Sequence, residues 1–208
     1  MNLRRLLAPL LALPIAACSS LLNVQRTPFT IYSPRLAPAA QPASGARVGW
    51  QLSIATPLAS DALDTARIVV MSSPGVIEVY PGARWSDSAP ALLRNLLVQG
   101  FEQSGRIDGV GSDASGLRAD YSLSIQLHDF QLEVAGGARA VIHLQARLLD
   151  YTTNRVLAAR AFEARAPAAG SDAAAAFGAF EAALGELVPQ LVDWTLTQGE
   201  AAHAAARR

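Results

Sequence analysis

The sequence predicts an α/β chain of the α+β type: an antiparallel or mixed β-sheet with a three-strand meander, packed by two main amphipathic helices. Three observations predict it. Apolar and polar residues alternate from Tyr121 to Phe162 across two turn signals, a leucine-rich stretch ending at Gly105 repeats at helical spacing, and a last apolar stripe from Phe177 to Trp194 steps by three and four. With 208 residues the chain is long enough for one well-buried domain.

The first residues set the compartment. Arg4 and Arg5 precede an apolar run from Leu6 to Ile15 that is too short to span a bilayer and is followed by Ala16-Ala17-Cys18. This is the layout of a secretory signal, with small residues before the cleavage point. Ile15, Ala16, Ala17 and Cys18 together resemble a bacterial lipoprotein signal. On that reading Cys18, the single cysteine of the chain, carries diacylglycerol on its thiol and an acyl chain on its new amino group. The alternative is an ordinary secretory peptide with a cysteine nearby by chance. Residues 1–17 are then the signal peptide and 18–27 a lipidated tether. Ser19 and Ser20 follow the cysteine with no aspartate, which resembles a lipoprotein forwarded to the outer membrane of a Gram-negative cell.

Cleavage before Cys18 removes two arginines and leaves 15 against 17 acids, so membrane residence would rest on lipid rather than on a basic patch. The formal net charge of the whole chain is zero and charged residues make up 16%, so the basic surplus that nucleic-acid binding needs is missing. All the basic residues are arginine, which rules out a phosphate loop built around lysine.

Along the mature chain, Phe29 to Tyr32 offers a short strand stopped by Pro34. The Ala/Pro-rich stretch 34–47 is a loop. Val48 to Ile54 alternates, with Trp50, Leu52 and Ile54 on one face, and is expected to bury that side only. Ala59 to Ala66 has room for one or two helical turns. Two β-branched runs, Ile68 to Val70 and Val76 to Tyr80, flank Ser73-Pro74-Gly75 and form a hairpin. Ser86, Asp87 or Ser88 then caps a helix whose Leu93, Leu97 and Phe101 recur every four positions beside Leu92 and Leu96. Beyond it, Ile107 to Val110 is a short strand and Gly109 to Gly116 a loop.

Tyr121, Leu123, Ile125 and Leu127 then share one face, and Phe130, Leu132 and Val134 are the apolar positions after the register flips. A strand changes face only through an extra residue, so a β-bulge is expected near His128-Asp129. Gly136-Gly137 turns the chain into a strand with Ala140, Ile142, Leu144, Ala146 and Leu148 on one face. Thr152-Thr153-Asn154 turns it again into a strand from Val156 to Phe162. Ser171-Asp172 caps the last helix, in which Pro189 predicts a kink or two helices end to end. The domain is placed at 28–198, and 199–208 is expected to be a disordered tail.

Candidate chemistry is sparse. With a two-residue turn, His143 would stand opposite Phe130 and diagonal to His128, and Asp129 would lie on the other face unless the bulge turned it; no metal site is assigned. No Gly-X-Ser-X-Gly elbow exists, and no catalytic residue is assigned. Arg84, Trp85 and Asp87 are the most site-like cluster. They admit a structural reading, with Trp85 a core anchor, Asp87 a cap or first-turn acid and Arg84 paired nearby, and a partner-contact reading.

The run Leu63-Asp64-Thr65-Ala66-Arg67-Ile68-Val69-Val70, followed by Gly82-Ala83-Arg84-Trp85-Ser86-Asp87 and by Leu92-Leu93-X-X-Leu96-Leu97-Val98-X-X-Phe101-Glu102-X-Ser104-Gly105, resembles the ABC-type transport auxiliary lipoproteins, the PqiC-like family. Val192-Asp193-Trp194 extends the likeness. The resemblance implies a periplasmic, lipid-anchored α/β domain that is not an enzyme. It also implies partnership with an ABC transporter permease and ATPase complex and an MCE-domain protein in moving phospholipid between membranes, with no cofactor beyond the covalent lipid on Cys18. A homo-oligomer stays open. Two other classes share the anchor: a chaperone or scaffold of an outer-membrane assembly, and an envelope hydrolase, which would need an activated nucleophile.

Overall fold

The long strand β6 (Tyr121–Glu133) organises the sheet, because it is paired along both edges, by two earlier strands on one side and the following strand on the other. The computed structural model describes residues 28–37, 45–170 and 172–207. The signal residues Ile15, Ala16 and Ala17, the proposed lipid site Cys18 and half of the Ala/Pro-rich loop lie outside them. In chain order the other elements are β1 (Thr30–Tyr32), β2 (Leu52–Ile54), β3 (Arg67–Ser73), β4 (Val76–Trp85), α1 (Ala89–Ser104), β5 (Val110–Ser112), a 3-10 turn at Asp113–Ser115, β7 (Arg139–Asp150), β8 (Val156–Pro167) and α2 (Ala173–Ala206).

β6, β7 and β8 form the expected antiparallel meander. The opposite edge of β6 is divided. Its first residues pair in parallel with β2, Leu52 facing Tyr121, and its last pair in parallel with β3, Val70 facing Leu132. Outside β2 lies β5, and outside β3 lie β4 and then β1, so the mixed sheet splits on this side into two arms.

Both helices cover one face of the sheet. Leu123, Ile125, Leu127 and Phe130 of β6, Ile142, Leu144 and Leu148 of β7, and Phe162 of β8 meet Phe180, Leu184, Leu187 and Leu191 of α2 in one core. Leu92, Leu93, Leu96, Leu97 and Phe101 of α1 join it, as their spacing predicts. Phe180 is the hub: its ring stacks on Phe130 at 5.1 Å and receives the edge of Trp85 at 4.9 Å. Among the described residues the other face of the sheet carries no helix.

Several elements differ from expectation for identifiable reasons. β2 buries Ser53 as well as Leu52 and Ile54, because it is flanked by β5 and β6 and lies at no edge. The segment Ala59 to Ala66, by contrast, forms one hydrogen-bonded turn as expected, with Leu63 and Asp64 N–H donating to the Ser60 carbonyl. Ser88 is the N-cap residue of α1 and its side chain makes no cap bond; Asp87 is exposed and caps nothing. α2 runs through Pro189 as one helix. The carbonyl that loses its partner belongs to Gly185, and both residues are exposed, so the gap faces water.

The tail expected to be disordered from Gly199 is the last part of α2, which continues to Ala206. Gly199 is buried, and a Cβ there would lie 2.3 Å from Cζ2 of Trp50. Lacking one, the helix backbone lies flat on the indole, whose Nε1–H donates to Glu200 Oε2 at 3.3 Å and whose ring meets Tyr121 edge-on at 5.2 Å. This contact, 150 residues apart in sequence, holds the helix end that composition alone would release.

Candidate functional site

The cluster Arg84, Trp85 and Asp87 sits where β4 turns into α1, and the structure divides it. Backbone bonds fix the junction: Trp85 N–H to the Ala66 carbonyl at 2.7 Å, Ser86 N–H to Tyr32 at 2.9 Å and Ala89 N–H to Thr65 at 3.2 Å. Because side chains alternate along β4, Ala83 and Trp85 face the helices while Arg84 faces the open side. Trp85 is 1% exposed and packs against Phe130 and Phe180, so it is a core anchor. Its Nε1–H is buried without an acceptor among the described residues, at a cost of about 1–3 kcal/mol that aromatic packing must offset. Arg84 does not pair with Asp87; its guanidinium stands 5.9 Å from the centre of the Phe29 ring.

The bulge predicted near His128-Asp129 is present as a register shift between Leu127 and Asp129. It turns Asp129 onto the face of His143, and the two pair at 3.2 Å between Oδ2 and Nδ1. His143 therefore lies opposite Asp129, and Phe130 opposite Ile142, a correction to the expected register. The cause is the turn: five residues, Val134 to Ala138, separate the last paired residues Glu133 and Arg139, with Gly136 and Gly137 at φ of 76° and 111°. The His128 and His143 rings stand 5.1 Å apart. Among the described residues no group of three or more His, Cys, Asp or Glu is gathered closely enough to hold a metal ion.

Beside the histidines, Glu133 pairs with Arg139 at 2.9 Å and with Arg165 at 3.4 Å, and Arg165 also pairs with Glu163. That carboxylate raises the pKa of the Arg165 guanidinium, chiefly through its hydrogen bond. These charged side chains sit on the rows of Val69, Gln131 and Val141, which are buried although they face away from the helices.

Sequence reasoning missed one surface. On the helix-free face of the arm formed by β1, β4 and β3, Ile77 pairs with Met71, Val79 with Val69, and Arg84 with both Arg67 and Ile31. Phe29 is 60% exposed, Ile31 54%, Ile77 50% and Val79 43%. The available signal was Val76 to Tyr80, in which apolar residues fall on both faces of a strand that has neighbours enough to bury only one.

Between α1 and α2, Leu36, Gly100, Val188 and Val192 line an apolar cavity of about 200 Å³. A Cβ on Gly100 would meet Val188 at 2.4 Å, so glycine sets the close crossing of the helices. The cavity falls below the roughly 300–1,000 Å³ of small-molecule pockets. No helix of the described residues is long and apolar enough to cross a membrane.

Compared with known proteins, residues 31–192 match the model of the ABC-type transport auxiliary lipoprotein component. The chain belongs to that family. The match covers the hairpin, α1, the meander and most of α2, so it confirms the resemblance read from the sequence. Protein XCC0632 of Xanthomonas campestris, a DUF330 protein, is 37% identical with a TM-score of 0.78, over 84% of this chain and 99% of that one. A second solved structure, of an uncharacterized protein, shares the fold at a TM-score of 0.62 and 15% identity, over 80% of this chain and 97% of that one. The chain is 30% identical over 176 residues to the uncharacterized protein bll6063 of Bradyrhizobium diazoefficiens, which covers 83% of this chain and only 45% of that protein. Membership of a lipoprotein family places the chain in the cell envelope, and the family's auxiliary character accords with a non-catalytic role.

Proposed function

We propose that this auxiliary lipoprotein is held by lipidated Cys18 on the periplasmic side of the outer membrane. There it serves an ABC- and MCE-type system that moves phospholipid between membranes, acting by binding partner proteins rather than by catalysis. The observation that carries the reading is the family match over residues 31–192, which gives an auxiliary component of ABC-type transport. The lipobox-like Ile15-Ala16-Ala17-Cys18 supports the anchor, and Ser19-Ser20 after it supports the outer membrane.

Mass spectrometry of what copurifies with the tagged protein from native membranes in mild detergent, beside a Cys18→Ala control, tests the proposal. Recovery of an MCE-domain protein or a transporter permease is the expected result. Recovery of outer-membrane assembly components alone would overturn it in favour of a scaffold.

A further inference from the structure

The helix-free face of the β1, β4 and β3 arm combines features that a strand surface in water does not retain without a use. Phe29, Ile31, Ile77 and Val79 are 60%, 54%, 50% and 43% exposed on that one face. Arg67 and Arg84 stand directly opposite each other in the β3–β4 pair, an arrangement that like charges disfavour. Neither makes an ion pair with a carboxylate among the described residues. Glu78 belongs to the other side of β4, across from Val70, and Glu133 is already engaged by Arg139 and Arg165. A shared anionic group would relieve the repulsion between Arg67 and Arg84, and a guanidinium pair is suited to phosphate oxygens.

The anchor selects the source of that anion. β1 begins twelve residues after Cys18, a distance of at most about 40 Å in a fully extended chain. β1 is therefore the element tied most closely to the lipid, and it lies at the edge of this face. We propose that Phe29, Ile31, Ile77 and Val79 rest in the headgroup boundary of the membrane that holds Cys18, with Arg67 and Arg84 gripping phospholipid phosphates. The inference rests on the anchor reading above. Apolar side chains inserted beside arginines that reach headgroups are the pattern of interfacial proteins, and they add a second contact to the acyl chains. The docked surface turns α2 and the outer side of α1 towards the periplasm.

The test uses the full lipidated protein in vesicles of phosphatidylethanolamine and phosphatidylglycerol. With Cys18 acylated, Ile77→Cys gives one free thiol for an environment-sensitive fluorophore, and Glu186→Cys on the exposed side of α2 gives the control. The expected result is a blue-shifted emission for the label at position 77, quenched several-fold more by spin-labelled lipid than the label at 186. Adding Arg67→Glu and Arg84→Glu should bring the two labels to the same quenching while the protein stays on the vesicles. Equal quenching at both positions, in protein that still floats with the vesicles, overturns the inference and leaves the anchor intact. Shielding of the label at 77 that appears only after envelope proteins are added overturns it too, and gives the face to a protein partner. A chain that does not float at all removes the anchor reading and this inference with it.

Discussion

Gly199→Ala should destabilise the protein even though alanine is the better helix former. In an open helix interior the change gains about 1 kcal/mol. At Gly199 the new methyl would lie 2.3 Å from Cζ2, 2.6 Å from Cη2 and 2.9 Å from Cε2 of Trp50. Carbon contacts settle near 3.5–4.0 Å, so the indole or the helix must move by about 1 Å or more. The indole is 1% exposed, edge-on to Tyr121 and bonded to Glu200, and has nowhere to go. Overpacking of this kind costs about 1–3 kcal/mol, and weakening the Trp50–Glu200 bond adds to it. The net loss is about 1–2 kcal/mol, or a Tm lower by about 2–8 °C for a chain of this size. Gly178→Ala, in the same helix where a Cβ would meet nothing within 4 Å, should raise stability by about 0.5–1 kcal/mol. Urea unfolding followed by circular dichroism reads both. A double-mutant cycle of Gly199→Ala with Trp50→Phe should return a coupling of about 1 kcal/mol or more. If Gly199→Ala stabilises as Gly178→Ala does, the account of how the helix end is held is wrong.

The caps offer a paired test. The Asp172 carboxylate accepts the Ala175 N–H at 2.8 Å, so Asp172→Ala should cost about 1 kcal/mol, whereas Ser88→Ala, at a cap with no side-chain bond, should change denaturant midpoints little. Phe180→Ala removes the hub between Trp85 and Phe130 and should cost about 3–5 kcal/mol by the same unfolding assay. The Asp150 carboxyl, held down chiefly by its bonds from the Thr153 N–H and hydroxyl, has a pKa below its ordinary 3.8. Its stabilising contribution is complete above that value and is lost as pH falls through the lower folded one. An NMR titration should find Asp150 titrating below the ordinary 3.8, and Thr153→Ala should raise it towards that value.

Much of this arrangement was legible because local patterns and tertiary needs agreed. The period of two in β6 and β7, the face change at His128-Asp129 and the leucine spacing of α1 each fix an element without knowledge of its neighbours. What failed to show was long-range. Nothing near Ser53 says that β2 has strands on both edges, and nothing near Gly199 says that Trp50 waits for it. The turn after β6 took five residues where the two glycines alone gave two, and that single residue of register put Asp129 beside His143. Among the candidate site residues, Trp85 takes the core-anchor alternative of the two its sequence left open. Arg84 and Asp87 are neighbours in sequence, but strand alternation sends Arg84 to the open face while Asp87 stays exposed at the helix entry.

The divided edge of β6 also orders the acquisition of structure in time. Chains emerge amino terminus first, and β2 and β3 are complete about fifty or more residues before Tyr121–Glu133 exists for them to pair with. β6, β7 and β8 need only their own turns, so they can assemble as soon as they appear, while the earlier strands must wait and then close loops of some 70 residues between Leu52 and Tyr121. α2, made after all of these strands, is the one that seals the core under Trp85 and Phe130. Until β6 is made, the β-branched run of β3 has one open edge, and until α2 arrives the core face of the sheet is uncovered, so chaperone protection or rapid export would govern how much protein escapes aggregation.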